Sequence, residues 1–138
     1  MSTVSVSPTD KASGTDYEVS KLLTEYFRAV EEHDLPKFLS FFLDGEHFTV
    51  FEDKEMYDWK SFVVFAEGFF QTVAEIAGDL ETCTVDPVAP GAAVATGVFK
   101  AIGKTTAGEP VAVRNAFTFV LVKQGDRWRI KHVHESSL

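Results

Sequence analysis

The sequence predicts an α+β fold in which a strongly curved antiparallel sheet wraps around three helices from the N-terminal half of the chain. Apolar residues recur at helical spacing in three segments before Gly78 and alternate as in strands after it. Pairs of turn-forming residues divide the second half into four long segments, which is typical of a meander. Because such long strands twist and bend, we expect the helices to fill the concave side of a cone.

The first helix is predicted to run from about Asp16 to His33. Thr15 and Glu18 have the spacing of a capping box at its start. Its apolar face is formed by Val19, Leu22, Leu23, Tyr26, Phe27 and Val30. Residues 1–14 are rich in Ser and Thr. We therefore expect a flexible N-terminal tail there and a single domain over residues 15–138.

Aspartates open the two other predicted helices. Asp34 caps a short helix that we expect to end at Asp44-Gly45. Asp58 caps a longer helix, whose apolar stripe continues until Gly78 stops it. Between these helices, the alternating residues 46–51 predict a short strand, which a turn and a brief return strand follow.

Four long strands are predicted over residues 79–88, 92–104, 110–123 and 127–136, joined by turns at Pro90-Gly91, Ala107-Gly108 and Gly125-Asp126. A two-residue last turn pairs Lys123 with Trp128 and, if the pairing continues without interruption, Phe119 with His132. A three-residue turn would reverse the two faces, and a bulge would move Arg114 inward.

The uninterrupted register predicts an aromatic concave face and a mixed convex face. The concave side chains are Phe117, Phe119, Leu121, Trp128, Ile130, His132 and His134, with Tyr26 and Phe62 opposite them and Trp59 at the mouth. The convex side chains are Arg114, Ala116, Thr118, Val120, Val122, Arg129, Lys131, Val133 and Glu135. This convex patch is more apolar than a monomer usually exposes, so we expect a homodimer joined through the outer sheet face.

Charge and cysteine content exclude several function classes. The formal net charge of -8 is opposite to what phosphate backbones and anionic membranes attract, so we expect no nucleic-acid or membrane partner. A single cysteine, Cys83, rules out an internal disulfide. The chain has neither a basic-then-apolar start nor an apolar run of about 20 residues, so a reducing, cytoplasmic location is expected.

His132 and His134 are the first candidates for catalysis, because the histidine ring is the side chain best suited to exchange protons at neutral pH. The alternative is that one is a hydrogen-bonded core histidine and the other lies near the rim. The H-x-H spacing on a strand also directs both rings to one face, but the spacing reveals no third metal ligand. We therefore expect no metal site and no cofactor.

The spacing W-x3-H-x-H-x-S, formed by Trp128, His132, His134 and Ser136, resembles the end of a SnoaL-like domain. Such domains belong to the NTF2-like superfamily, which also contains the ketosteroid isomerases and the association domain of calcium/calmodulin-dependent kinase II. The resemblance covers about residues 16–138 and implies an NTF2-like cone. It implies a fold more specifically than an activity, because one fold hosts unrelated functions.

The same resemblance implies a role for Tyr26. Ketosteroid isomerases carry a catalytic tyrosine at this place, as a hydrogen-bond donor to the oxyanion. The alternative is a core tyrosine whose hydroxyl meets a backbone carbonyl. The general-base aspartate of those enzymes falls near Val50 in this chain, so the base is missing or displaced, and Glu52 lies two residues on.

Arg114 is a candidate for holding a ligand carboxylate, because a guanidinium binds carboxylates bidentately. The alternative is a pair with Glu135 across the strands, which the uninterrupted register favours. The predicted ligand-binding residues are Trp59, Phe62, Arg114, Phe117, Phe119 and Trp128.

Two functions from different classes stay open. The first is a cofactor-independent enzyme, an isomerase, dehydratase or cyclase, acting by acid–base chemistry on a small, largely apolar ligand through Tyr26, His132 and His134. The second is a non-catalytic ligand-binding or association module. Enclosed polar groups with shifted pKa values favour the enzyme, whereas a filled cone with a large apolar outer sheet favours the module.

Overall fold

The computed structural model describes residues 14–138, so the predicted N-terminal tail lies outside the described residues except for Gly14. Three helices precede the long strands: α1 (Gly14–Glu31), α2 (Leu35–Ser40) and α3 (Trp59–Thr72). The Asp34 carboxylate accepts a hydrogen bond from the Lys37 backbone N–H at 3.1 Å. Asp58 accepts one from the Ser61 backbone N–H at 2.9 Å. Both predicted aspartate caps are therefore confirmed.

Six strands form one open sheet in the order β2-β1-β6-β5-β4-β3. Their bounds are β1 (Thr49–Glu52), β2 (Glu55–Tyr57), β3 (Val73–Ala89), β4 (Ala92–Thr105), β5 (Pro110–Gln124) and β6 (Arg127–Ser137). Neighbours pair antiparallel except β1 and β6, which run parallel. The predicted α+β cone is confirmed, with the helices against one face of a mostly antiparallel sheet. No helix within residues 14–138 is long and apolar enough to span a membrane.

Two helices end earlier than their apolar patterns predict, because strand pairing takes over the following residues. After α2, the Ile130 N–H donates to the Phe41 carbonyl and the Leu43 N–H donates to the Ile130 carbonyl, each at 2.8 Å. After α3, residues 73–78 join β3 instead of continuing the helix. Val73 and Ile76 have helical spacing, but both are buried in the strand conformation. Packing against the sheet therefore overrides the local pattern.

The hairpin between β5 and β6 starts as predicted and then departs from the uninterrupted register. Lys123 pairs with Trp128, as a two-residue turn requires. Farther along, Val120 pairs with His132, where the uninterrupted register would have it opposite Lys131. Lys131 is thus the extra residue of a β-bulge, which shifts every later pair by one position.

This bulge reverses the predicted faces of the second half of β6. Val133 is buried, and Phe117 of the concave face pairs with Glu135. Val133 and Glu135, predicted on the convex face, therefore point into the cone. His132 and His134, predicted on the concave face, point outward, because side chains alternate along a strand.

Aromatic side chains fill one part of the cone. Phe42, Phe48 and Phe119 are among its largest fully buried residues. Trp128 packs in the same cluster, and its indole N–H donates to Glu18 of α1 at 2.7 Å. The remaining part, between α1, α3 and the sheet, is less completely packed and contains a cavity.

Candidate functional site

An open cavity of about 140 Å³ lies between α1, α3 and the concave face of the sheet. Its walls are largely apolar, and the phenylalanines among them are Phe27, Phe38, Phe62, Phe65, Phe69, Phe70 and Phe99. Four lining side chains carry polar groups: Tyr26, Glu52, Asn115 and Glu135. Apolar walls with a few converging polar groups are typical of a small-molecule site.

Two carboxyl groups stand next to each other at this wall. Glu52 and Glu135 are direct partners across the parallel strands β1 and β6. Neighbouring strands lie about 4.8 Å apart, and both side chains line the same cavity. Asn115 on β5 donates a hydrogen bond from Nδ2 to Glu135 Oε1 at 3.4 Å. Both carboxyls can therefore contact the same ligand in the cavity.

The surroundings of the pair favour its protonated form. The pKa of Glu135 is raised to about 8, first by burial and then by the charge of Glu52, while the Asn115 hydrogen bond lowers it. Burial, followed by the charge of Asp53, raises the pKa of Glu52. Glu135 is partly exposed to solvent when the whole residue is considered, but its carboxyl group is surrounded by protein. Because burial and an adjacent like charge both disfavour ionisation, Glu135 keeps its proton at neutral pH.

Asp53 fixes the relative position of the two strands that carry the pair. Its backbone adopts a left-handed conformation with φ 52° in the turn after β1. Its carboxylate accepts hydrogen bonds from the Ser137 N–H at 2.7 Å and the Ser137 hydroxyl at 2.9 Å. Its own N–H donates to the Glu135 carbonyl at 2.9 Å. These three hydrogen bonds hold the end of β1 against β6 and so keep Glu52 beside Glu135.

Tyr26 contributes a buried phenol to the same cavity. It is 6% exposed, and its ring contacts Phe27, Phe38 and Phe119, with centroids 4.9, 5.1 and 5.4 Å away. Burial, then the charges of Glu135 and Glu52, raises the pKa of Tyr26 well above its ordinary value. Among residues 14–138, no hydrogen-bond partner of its hydroxyl is found. The phenol therefore stays protonated and is available to a ligand.

The prediction that His132 and His134 line the pocket is wrong, because the bulge turns them to the outer face. His132 Nδ1 lies 2.8 Å from the Thr49 hydroxyl, and His134 is exposed. The Phe51 ring contacts both imidazoles on that face, with centroids 5.4 and 5.7 Å away. Within the described residues, no group of three or more His, Cys, Asp or Glu is arranged to hold a metal ion.

Arg114 also lies on the outer face of the sheet, not in the pocket. Its Nε and Nη2 donate to the two carboxylate oxygens of Glu81 on β3, at 2.8 and 2.9 Å. The alternative pairing with Glu135 is wrong as well, because Glu135 points into the cone. This pair stabilises the outer surface and is available to no ligand in the cavity.

The predicted aromatic residues divide between the cavity wall and the filled core. Phe62 lines the cavity together with Tyr26. Phe117, Phe119 and Trp128 are buried in the packed cluster and are not among the cavity-lining residues. Trp59 packs edge-on against Phe48, with centroids 5.2 Å apart, and is likewise absent from the lining.

Of the four polar lining residues, the sequence points to Tyr26 and Glu52 but not to Asn115 and Glu135. One feature of the sequence pointed to the correct register. The uninterrupted pairing placed apolar Val133 on the same face as Arg129 and Lys131, whereas a bulge lets Val133 join the core. Asn115 had no comparable pattern around it.

A family model described as the SnoaL-like domain matches residues 19–138. The chain belongs to this SnoaL-like domain family. Comparison with curated proteins found no match.

Some solved structures with the same fold have names that describe enzymes, and others have names that describe association domains. A proposed scytalone dehydratase from Novosphingobium aromaticivorans superposes with a TM-score of 0.83 at 14% identity, covering 94% of this chain and 88% of that one. A proposed dehydratase of the NTF2-like family from Streptomyces avermitilis has a TM-score of 0.79 at 18% identity, with coverages of 91% and 97%. A proposed calcium/calmodulin-dependent kinase II association domain from Xanthomonas campestris has a TM-score of 0.79 at 20% identity, with coverages of 99% and 95%. At these identities the likeness shows the NTF2-like fold of the SnoaL-like domain and nothing finer.

Proposed function

We propose that this SnoaL-like domain is a cofactor-independent enzyme that moves a proton on a small, largely apolar, oxygenated ligand held in the cone cavity. Dehydration is the favoured reaction, and isomerisation uses the same groups. The observation that carries the proposal is the adjacent pair Glu52 and Glu135 at the wall of an aromatic cavity. Enclosed carboxyls with raised pKa values are the feature that favours an enzyme over a passive module. The names of two structural neighbours, both proposed dehydratases, support the reaction class.

In the proposed dehydration, the two carboxyls have complementary roles. Glu52, as carboxylate, removes the proton from the carbon next to a ketone. Glu135, as carboxylic acid, protonates the hydroxyl that leaves from the next carbon as water. One C–H and one C–O bond break, and a C=C bond and a water molecule form. Glu52 then releases its proton to water, and Glu135 takes one up from water before the next turnover. In isomerisation, the proton removed by Glu52 returns to another carbon of the same ligand.

Tyr26 supports either reaction as a hydrogen-bond donor. Proton removal next to a ketone places negative charge on the ketone oxygen. A protonated phenol in an apolar wall stabilises such an oxyanion more strongly than water does. The raised pKa of Tyr26 keeps its proton in place throughout the neutral range. The role implied by the resemblance to ketosteroid isomerases thus stays part of the proposal.

A second proposed function is association into a homodimer through the outer sheet face, and it is compatible with the first. The specific observation is that this face exposes large apolar side chains: Phe51 is 36% exposed, Met56 68% and Ile102 71%. Val120 pairs with His132 in the middle of the same face. Val133, predicted to belong to this patch, is excluded from it because it is buried in the cone.

The proton-transfer proposal is tested with 2-tetralone, a neutral bicyclic ketone with a fused aromatic ring, in D₂O. Proton NMR follows the exchange of the hydrogens next to the carbonyl with wild-type protein, Glu52→Gln and the exposed control Glu67→Gln. We expect wild type and Glu67→Gln to accelerate the exchange over the rate without protein. The acceleration by Glu52→Gln should be about 100-fold smaller than that by wild type. Equal exchange rates with wild type and Glu52→Gln would contradict the proposal.

A further inference from the structure

The charged groups around the cavity all have the same sign. The lining contains the carboxyls of Glu52 and Glu135 and no Lys, Arg or His. The charges that shift the pKa of either carboxyl belong to other carboxylates, chiefly Asp53 and the pair itself. No cationic side chain of the described residues therefore compensates the pair, although buried carboxylates are normally paired with a cation.

The walls of the cavity are suited to a cation as well. α3 contributes Phe62, Phe65, Phe69 and Phe70 to the lining. The face of an aromatic ring carries partial negative charge and attracts a positive group that approaches it away from water. An anionic ligand would be repelled by any ionised carboxylate of the pair.

The polar groups match the hydrogen-bonding capacity of one ammonium. A primary ammonium has three N–H donors and no acceptor. Glu52 and Glu135 offer carboxylate oxygens, and Tyr26 offers a hydroxyl oxygen whose partner is not found within residues 14–138. The two carboxyls and the phenol thus supply one acceptor for each donor.

We propose that the cavity binds an organic monocation, a primary ammonium attached to a planar apolar body, with the ammonium at Glu52, Glu135 and Tyr26. This inference uses the same cavity as the proposed function but goes beyond it, because an ammonium at these three groups would compete there with the ketone. It does not depend on turnover, because binding requires only the acceptors and the aromatic walls.

The inference predicts a dependence of binding on pH. The ammonium needs ionised acceptors, so each proton on the pair competes with it. Several other titratable groups lie near Glu52 and Glu135: Asp53 in the turn after β1, Tyr26 on α1, and Glu55 and Tyr57 on β2. The pKa of Tyr57 is raised first by burial and then by the charges of Glu55 and Glu52. α3 adds apolar side chains to the lining. Affinity is expected to increase up to tenfold per pH unit between pH 6 and 8 and to level off above about pH 8, where Glu135 is ionised.

The test compares three probes of similar size by isothermal titration calorimetry on the full chain: 2-phenylethylamine, 2-phenylethanol and phenylacetate. At pH 8 we expect the amine to bind at least ten times more tightly than the alcohol, and phenylacetate to bind more weakly than either. Glu52→Gln and Glu135→Gln should remove the preference for the amine. Glu81→Gln, which changes a carboxylate on the outer face, should keep it.

Two results would overturn the inference: equal affinities of wild type for amine and alcohol, or an amine affinity that does not change between pH 6 and 8. The pH series uses wild-type protein, so it decides the matter even if a Gln variant misfolds. The ketone exchange experiment keeps the two proposals separate. Exchange without amine preference refutes the ligand class alone, and amine preference without exchange refutes the proton chemistry alone.

Discussion

Glu52 on β1 and Glu135 on β6 are direct neighbours across a parallel strand pair, and both point into the cone. Their meeting depends on Lys131, the extra residue of the bulge in β6. Without that residue, Glu135 would point outward and the cavity would contain a single carboxyl. One inserted residue thus creates the pair on which the proposed chemistry rests.

Replacing Glu135 with Gln should change how stability depends on pH. Its pKa is raised from 4.5 in the unfolded chain to about 8 in the folded one, so the folded protein binds more protons between these values. The stability that the protonated carboxyl contributes is complete below about pH 4.5 and is lost as the pH rises through 8. We expect Glu135→Gln to be more stable than wild type at pH 8, by on the order of 4 kcal/mol, and nearly equal to it at pH 5.

Urea denaturation at pH 5, 6, 7 and 8 measures this effect, with the exposed Glu67→Gln as the matched control. The control should follow wild type at every pH. A Glu135→Gln variant that runs parallel to wild type across the whole range would show that Glu135 is ionised in the folded protein at neutral pH.

Replacing Tyr26 with Phe should separate function from stability. The ring is buried among other aromatic rings, whereas no partner of the hydroxyl is found within the described residues. Tyr26→Phe keeps the packing, so thermal unfolding should change by less than about 1 kcal/mol. The ketone exchange rate should fall at least tenfold, because the oxyanion loses its donor. A large loss of stability with unchanged exchange would make the hydroxyl a structural group.

The elements of the fold were predictable because they depend on local patterns. Asp34 and Asp58 are residues typical of helix N-caps, and each one precedes the helix that it caps. Gly125 is typical of a tight turn and adopts φ 67° there. The C-terminal end of α3 was not predictable, since Val73 and Ile76 fit both a helix and a buried strand. Tertiary packing decided that case.

The candidate site was predictable only in part, for a reason of register. Tyr26 and Phe62 lie on helix faces, where apolar periodicity determines the direction of each side chain. Glu135 lies beyond the bulge on β6, and a single extra residue exchanges inside and outside for the rest of a strand. The same shift removed His132 and His134 from the cavity.

Two Gly→Ala substitutions should have opposite effects on stability. A Cβ at Gly97 of β4 would lie 2.1 Å from the Thr82 carbonyl oxygen and 2.8 Å from the Phe117 ring, so the sheet must move. A Cβ at Gly68 of α3 would meet nothing within 4 Å. Thermal unfolding should therefore show a loss of about 3 kcal/mol for Gly97→Ala and a gain of about 0.8 kcal/mol for Gly68→Ala. Equal effects would mean that the space around Gly97, next to the Thr82 carbonyl and the Phe117 ring, can accept a methyl group.

The proposed dimer is tested by placing a charge on the outer face. Val120→Asp should dissociate the dimer because a carboxylate in the middle of the interface loses its water. Val64→Asp, on the exposed side of α3, is the matched control and should remain dimeric. Light scattering behind gel filtration at micromolar concentration measures the mass. A wild-type mass near 15.3 kDa would refute the dimer.

Whether Glu135 keeps its proton at neutral pH beside Glu52 is measured by titrating the side-chain carboxyl carbons of both residues. Protein labelled with ¹³C-glutamate is followed by NMR from pH 3 to 10, and Glu52→Gln and Glu135→Gln assign the two resonances. We expect Glu135 to titrate near pH 8 and its pKa to fall when Glu52 becomes Gln, because the neighbouring charge is removed. Two independent titrations near pH 4.5, each unaffected by loss of the other carboxyl, would contradict it.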